Sequence, residues 1–98
     1  MKFRNLILKN NRLADLSGFS GAIFENVPCG DRCGYYPGLL DLSENQLDDL
    51  TPLLGAQFPI GFQIDLRGNS PSLDCGSQAA TLKTLRDQRL KLSSDCPE

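Results

Sequence analysis

The sequence predicts a small α/β fold built from stacked units, each a short strand followed by a tight helical return. Three asparagines, Asn11, Asn45 and Asn69, each close the same alternating apolar pattern. Behind each of the first two, the apolar spacing changes from that of a strand to that of a helical turn. The one irregularity in the period falls at a single site rich in Cys, Gly and Pro.

The strands come first. Leu6, Leu40 and Ile64 lie five positions before the asparagines, and Leu8, Leu42 and Leu66 lie three before. Alternation over about five residues marks a strand with one buried face. Leu13 and Leu47 then follow at two positions after, Leu16 and Leu50 at five, Phe19 and Leu53 at eight. Spacing of three fits a turn of helix, often 3₁₀, returning behind the strands. The match extends to Phe24 and Phe58, thirteen after their asparagines. A unit of this kind cannot bury its own apolar edge, so stacking is what makes a core. Asparagines sharing one phase imply a ladder. Each buried amide must place two donors and an acceptor, and tight-turn backbone in its own unit and the next supplies them. Asn45, with a unit on each side, is expected to be held best.

The step from Asn11 to Asn45 is longer than the step from Asn45 to Asn69 by ten positions. Phase survives through Phe24, so the excess lies near 25–34. That stretch, ENVPCGDRCG, carries Cys29, Cys33, a proline and two glycines, and reads as a pinched loop. Taking it out makes the two steps equal.

A chain of 98 residues makes one domain. With a net charge of −2 and no basic run, neither nucleic acid nor an anionic membrane is an expected partner. The apolar runs are too short to cross a bilayer. Phe3, Leu6 and Leu8 follow Met1 at once, so no signal peptide is visible and the N-terminus is expected to lie further upstream.

Four cysteines in a small chain point to two disulfides and an oxidising compartment. Three pairings are open, local spacing favouring Cys29–Cys33 and Cys75–Cys96. A four-cysteine zinc site and free thiols are the alternatives. The chain has no His, which removes the commonest general base. It also has no G-x-S-x-G and no phosphate loop. No catalysis, cofactor or metal is expected. Asp41 and Asp65, each four before its asparagine, should stand side by side. Such a pair can hold a cation, but a hard ion wants more oxygens in one loop, so a solvated face with Lys9 and Arg67 nearby is preferred. Asp48 and Asp49 are expected to be solvated on the return.

The strings LILKNNRL and LLDLSENQL resemble the leucine-rich-repeat motif L-x-x-L-x-L-x-x-N-x-L. Phe3 substitutes at the first position, Pro37 departs from it, and the third unit has Pro71 where leucine is expected. The resemblance covers roughly residues 3–96. It implies an LRR solenoid with a short parallel sheet on a concave face, helical or 3₁₀ returns, and a ladder of Asn11, Asn45 and Asn69. From Asn69 onward, GNSPSLDCGSQAATLKTLRDQRLKLSSDCPE is similar to the cysteine-containing C-terminal cap of extracellular LRR proteins, keeping one cysteine of the usual C-x-C pair. This divides the chain into repeats at 1–70 and a cap at 71–98, with a Cys75–Cys96 bridge. Ser77 is expected to N-cap a helix through Ala79, Leu82 and Leu85 toward Arg89, with Leu82, Leu85 and Leu92 facing inward.

The outward strand positions are Asn5, Ile7, Lys9 and Asn10, then Leu39, Asp41, Ser43 and Glu44, then Gln63, Asp65, Arg67 and Gly68. The resemblance implies recognition of a protein or peptide through Ile7, Lys9, Leu39, Asp41, Ser43, Gln63, Asp65 and Arg67, in a secreted or cell-surface (receptor ectodomain) setting. The alternative is a terminal structural segment of a larger solenoid or surface assembly, its partners being neighbouring repeats.

Overall fold

The computed structural model describes the backbone of residues 2–30, 34–36, 38–69 and 73–96, and the side chains of 4–26, 38–69 and 73–96. In chain order the elements are β1 (Lys2–Phe3), β2 (Asn5–Ile7), the 3₁₀ helix η1 (Ser17–Phe19), β3 (Ile23–Phe24), β4 (Val27–Gly30) and β5 (Gly34–Tyr36). Then follow β6 (Leu39–Asp41), the 3₁₀ helix η2 (Thr51–Gly55), β7 (Gln63–Asp65), the helix α1 (Cys75–Asp87) and β8 (Lys91–Ser93). The result is an α/β fold around an open four-stranded parallel sheet, ordered β2-β6-β7-β8.

The sheet register reproduces the asparagine phase. Leu6 pairs with Leu40, and Leu40 with Ile64, so each strand partner stands at the same offset from its own asparagine. Leu40, Leu42, Ile64 and Leu66 point into the core, where Leu47, Leu50 and Leu53 from the return meet them. The strand-to-turn change is made by one residue ahead of each asparagine: Asn10, Glu44 and Gly68 have φ of 59°, 56° and 78°. Asn and Gly tolerate this left-handed conformation. Glu44 carries a cost there of about 1–2 kcal/mol.

The returns also repeat. Asp15 accepts the Ser17 N–H at 2.8 Å and Asp49 accepts the Thr51 N–H at 2.9 Å, so matching carboxylates start both 3₁₀ helices. Asp49 is exposed, yet it has this structural task, which the reading of it as merely solvated overlooked. Phe24 and Phe58 stack with ring centroids 4.8 Å apart, and Phe62 tilts against both at 5.2 and 5.5 Å. Behind the main sheet, β1 pairs parallel with β3, and Ile23 of β3 bridges in parallel to Gln57. Gly38 permits the closest approach in the stack: a Cβ there would collide with the Arg4 carbonyl and the Phe62 ring.

The excess between the first two units is an antiparallel hairpin of β4 and β5 with an irregularity between Pro28 and Gly30, rather than a plain loop. Its neck is held by Asn26, which donates to the Ile60 carbonyl and accepts from the Gly38 N–H, both at 3.3 Å. The Cys29 side chain and Cys33 lie outside the described residues, and so does their expected pairing.

At the C-terminal end the helix starts earlier than Ser77 suggested. Asp74 is the N-cap and accepts the Gly76 N–H at 3.0 Å, while Ser77 sits in the first turn and donates to the Asp74 carbonyl at 3.2 Å. A carboxylate is favoured at the positive end of a helix, which explains the choice. The helix ends at Asp87, and Arg89 at φ 61° turns the chain out of it. Leu82 and Leu85 are buried on its inner side. Leu92 is not helical. It lies in β8, opposite Ile64, so the C-terminal segment adds a strand to the sheet as well as a helix over its end. Cys75 and Cys96 form a disulfide with Cα atoms 5.4 Å apart, joining the start of α1 to the end of β8. This excludes a four-cysteine zinc site. Closing a loop of this size constrains the unfolded chain by about 3 kcal/mol.

Candidate functional site

The asparagines set the frame on which the sheet face is displayed. Asn45 accepts the N–H groups of Asn11 and Leu13 at 2.8 and 3.0 Å and donates to the carbonyls of Leu8, Leu42 and Ser43 at 2.9, 3.0 and 3.2 Å. Asn69 accepts from Leu47 at 3.1 Å and donates to Leu42 and Leu66 at 3.1 and 2.8 Å. Both amides reach their own strand end and the turn of the preceding unit. Asn11 is exposed, and among the described residues its side chain donates only to the Lys9 carbonyl, at 3.3 Å. Buried rungs therefore belong to Asn45 and Asn69. A third, at Asn11, does not form, since no described unit stands beside its turn.

Across the face the register aligns Ile7, Asp41, Asp65 and Ser93 in one row. Two residues further on lie Lys9, Ser43, Arg67 and Asp95. A cleft of about 350 Å³ opens between Lys9, Asp41, Ser43, Glu44, Asp65, Arg67 and Gly68. It gathers five of the eight partner-binding residues expected from the sequence. Ile7, 56% exposed, and the half-buried Leu39 and Gln63 lie on the same strands outside the cleft.

The carboxylates in the cleft are tied down differently. Asp65 meets Arg67 through a fork of two bonds, Nε to Oδ1 at 3.0 Å and the terminal nitrogen to Oδ2 at 2.8 Å. The Arg67 hydrogen bond holds the Asp65 carboxyl below its ordinary range, against an opposing effect of burial. In turn Asp65 raises the Arg67 guanidinium. Asp41 instead accepts both the backbone N–H and the hydroxyl of Ser43, at 3.0 and 2.6 Å. That is why Ser43, expected to face solvent, is buried. Lys9 and Glu44 form a loose exposed pair at 3.9 Å, worth little by itself.

Sequence reasoning missed the contribution of β8. Lys91 stands opposite Gln63, Ser93 opposite Asp65, and Asp95 accepts the Gly68 N–H at 2.7 Å. At the two earlier interfaces the equivalent N–H donates to a backbone carbonyl, Asn10 to Ser43 and Glu44 to Arg67. The Asp95 carboxylate thus ends the backbone series. The signal was present in the alternation of Leu90 and Leu92, but Leu92 was read instead as part of the helix face.

On the other side, a groove of about 560 Å³ runs along α1, lined by Cys75, Gly76, Ala79, Leu82, Lys83, Arg86 and Asp87. The Arg86 Nε is buried there without a hydrogen-bond partner among the described residues. No group of three or more His, Cys, Asp or Glu among the described residues is placed to hold a metal ion, and no described helix is long and apolar enough to cross a membrane.

Fold and face together define a small disulfide-linked α/β protein whose open parallel sheet presents a charged cleft. No family model, no curated protein and no solved structure matches the chain.

Proposed function

We propose that the chain is a non-catalytic leucine-rich-repeat solenoid module that binds a protein or peptide on the concave face of its sheet, in an extracellular or cell-surface setting. The single observation that carries the reading is the cleft on that face. Its carboxylates Asp41, Glu44 and Asp65 face Lys9 and Arg67, and all five stand on or just beyond strands of fixed register. Rigid strands position charged groups without an ordering cost at binding, which favours affinity. An excess of carboxylates suits a partner segment bearing Arg or Lys, with Ile7 and Leu39 offering apolar contact beside it. The Cys75–Cys96 bridge supports the extracellular setting, since disulfides persist in oxidising compartments.

The test is a pair of double variants assayed against short peptides carrying Arg or Lys beside apolar residues. Asp41→Asn with Asp65→Asn should weaken binding by about 1 kcal/mol or more. Asp48→Asn with Asp49→Asn, on the return side, should leave it unchanged, because the amide oxygen still offers the Thr51 N–H an acceptor. Weakening by the second pair alone would move the interface off the sheet. A second reading, a terminal structural segment of a larger solenoid or assembly, is favoured by the partial exposure of the β2 end.

A further inference from the structure

The helix α1 presents a surface that the sheet face does not use. Its inner side is fixed. Leu82 and Leu85 are buried in the core, Gln78 accepts the Leu50 N–H at 2.8 Å, and the Cys75–Cys96 bridge ties down the first turn. Beside that side, Cys75, Gly76, Ala79, Lys83, Arg86 and Asp87 recur at helical spacing and line the groove of about 560 Å³ from the first residue of the helix to the last. At 1.5 Å of rise per residue this lining is about 18 Å long, the length of about five residues of extended chain. Gly76 and Ala79 are exposed and small, so the backbone of a ligand can come close to the helix.

Charge in the groove is unbalanced. Lys83 donates to Asp87 one turn on, at 3.3 Å, and the two offset each other. The Arg86 side chain has no such partner: among the described residues it makes no ion pair, and its Nε is buried without an acceptor. A buried donor left in this way carries a desolvation cost that a hydrogen bond removes. The side chain as a whole is half-buried, so the guanidinium can turn into the groove without opening the core. Elsewhere in the molecule the same edge of a guanidinium grips a carboxylate, where Arg67 holds Asp65 through Nε and a terminal nitrogen. Around Arg86 the exposed Arg89 and Lys91 add positive charge, and Asp87 is the one acid from 83 to 91, although the chain as a whole carries −2. No large apolar side chain is exposed on α1, so this surface lacks the anchors that hold a helix in a lipid interface.

We propose that the α1 groove is a second binding site, taking a short extended segment of a partner protein that carries one Glu or Asp between apolar residues. The partner carboxylate accepts the Arg86 Nε–H and a terminal N–H side-on, the fork that Asp65 makes with Arg67. Its apolar neighbours cover Ala79 and the stems of Lys83 and Arg86. Arg86 sets the specificity, because no bond in the free chain has to break before it takes a carboxylate. The site has the opposite charge preference to the sheet cleft, shares no lining residue with it and does not depend on what binds there.

The experiment titrates the full, oxidised chain with the peptide acetyl-Leu-Ala-Glu-Leu-Ala-amide and with its Gln counterpart, followed by NMR. The Glu peptide should move the signals of Gly76, Ala79, Lys83 and Arg86 and bind roughly tenfold more tightly than the Gln peptide. Arg86→Gln should bring the affinity for the Glu peptide down to that for the Gln peptide, and should leave the denaturant midpoint unchanged or raised, since it removes an unpaired donor. Ala79→Gln, on the exposed part of the helix, fills the groove and should weaken both peptides. Equal binding of the two peptides, or shifts on the strands in place of α1, would overturn the proposal. So would an Arg86→Gln that lowers the midpoint while the preference for Glu survives, which makes Arg86 a structural residue. Octanoate or phosphatidylserine vesicles that displace the Glu peptide at lower concentration than the peptide itself needs would assign the groove to lipid and overturn it as a peptide site.

Discussion

The first and second units of the stack share a phase, a turn conformation and a 3₁₀ return whose first N–H is held by an aspartate, yet only the second is enclosed. Leu47 and Leu13 occupy the same position, and one is wholly buried while the other is half-buried. Among the described residues the Asn45 side chain makes five hydrogen bonds and that of Asn11 makes one. The same residue type at the same place is a core element in one unit and a surface group in the other. Neighbours decide the difference, and local sequence does not.

The sharpest way to break this comparison is to truncate the matched leucines. Leu47→Ala should cost about 3–5 kcal/mol, because the cavity it leaves is walled on every side. Leu13→Ala should cost less than half of that, since part of its surface is already in water. Urea midpoints of the two variants decide the matter, and equal losses would mean that both ends are equally packed.

A smaller contrast is expected on the ladder. Asn45→Ala and Asn69→Ala each leave buried backbone groups without partners, at about 1–3 kcal/mol, whereas Asn11→Ala should stay below about 0.5 kcal/mol. A costly Asn11→Ala in the chain as it stands would show that its turn is held by something other than its own strand.

The smallest effect concerns pH. The Asp65 carboxyl is held low by Arg67 in the folded state. Its contribution is therefore fully present above the unfolded carboxylate pKa of about 3.9 and is lost as pH falls through the lower, folded value. Thermal midpoints of the parent and of Asp65→Asn should differ slightly near neutrality, Arg67 being so exposed a partner, and converge in acid. A gap that persists in acid would assign the effect to packing rather than charge.

Much of this architecture can be read from residue spacing. Three strands, their registers and both 3₁₀ returns follow from the positions of Leu, Phe and Asn around each turn. β8 escaped because it has no asparagine and, with a helix between it and β7, falls out of step with the period that relates β6 to β7. The helix start was misplaced because Ser77 and Asp74 are both capping residues, and only the fold shows which one meets a free N–H. On the sheet face, residue positions were legible from phase, but partner choice was not. That Asp65 takes Arg67 and Asp41 takes Ser43 depends on which side chain stands two residues along each strand. The direction of the ladder was equally hidden, since a sequence period is the same read forward or backward.

The hairpin of β4 and β5 separates chain length from architecture. Asn26 pins its neck to Gly38 and Ile60, and beyond that point the strands resume in step although the chain has made a detour. A segment tethered in this way can lengthen or shorten at the modest cost of closing a loop, about 0.6 kcal/mol for each doubling. The molecule thereby carries a natural grafting point, where foreign sequence can be displayed while the leucines on either side keep their places.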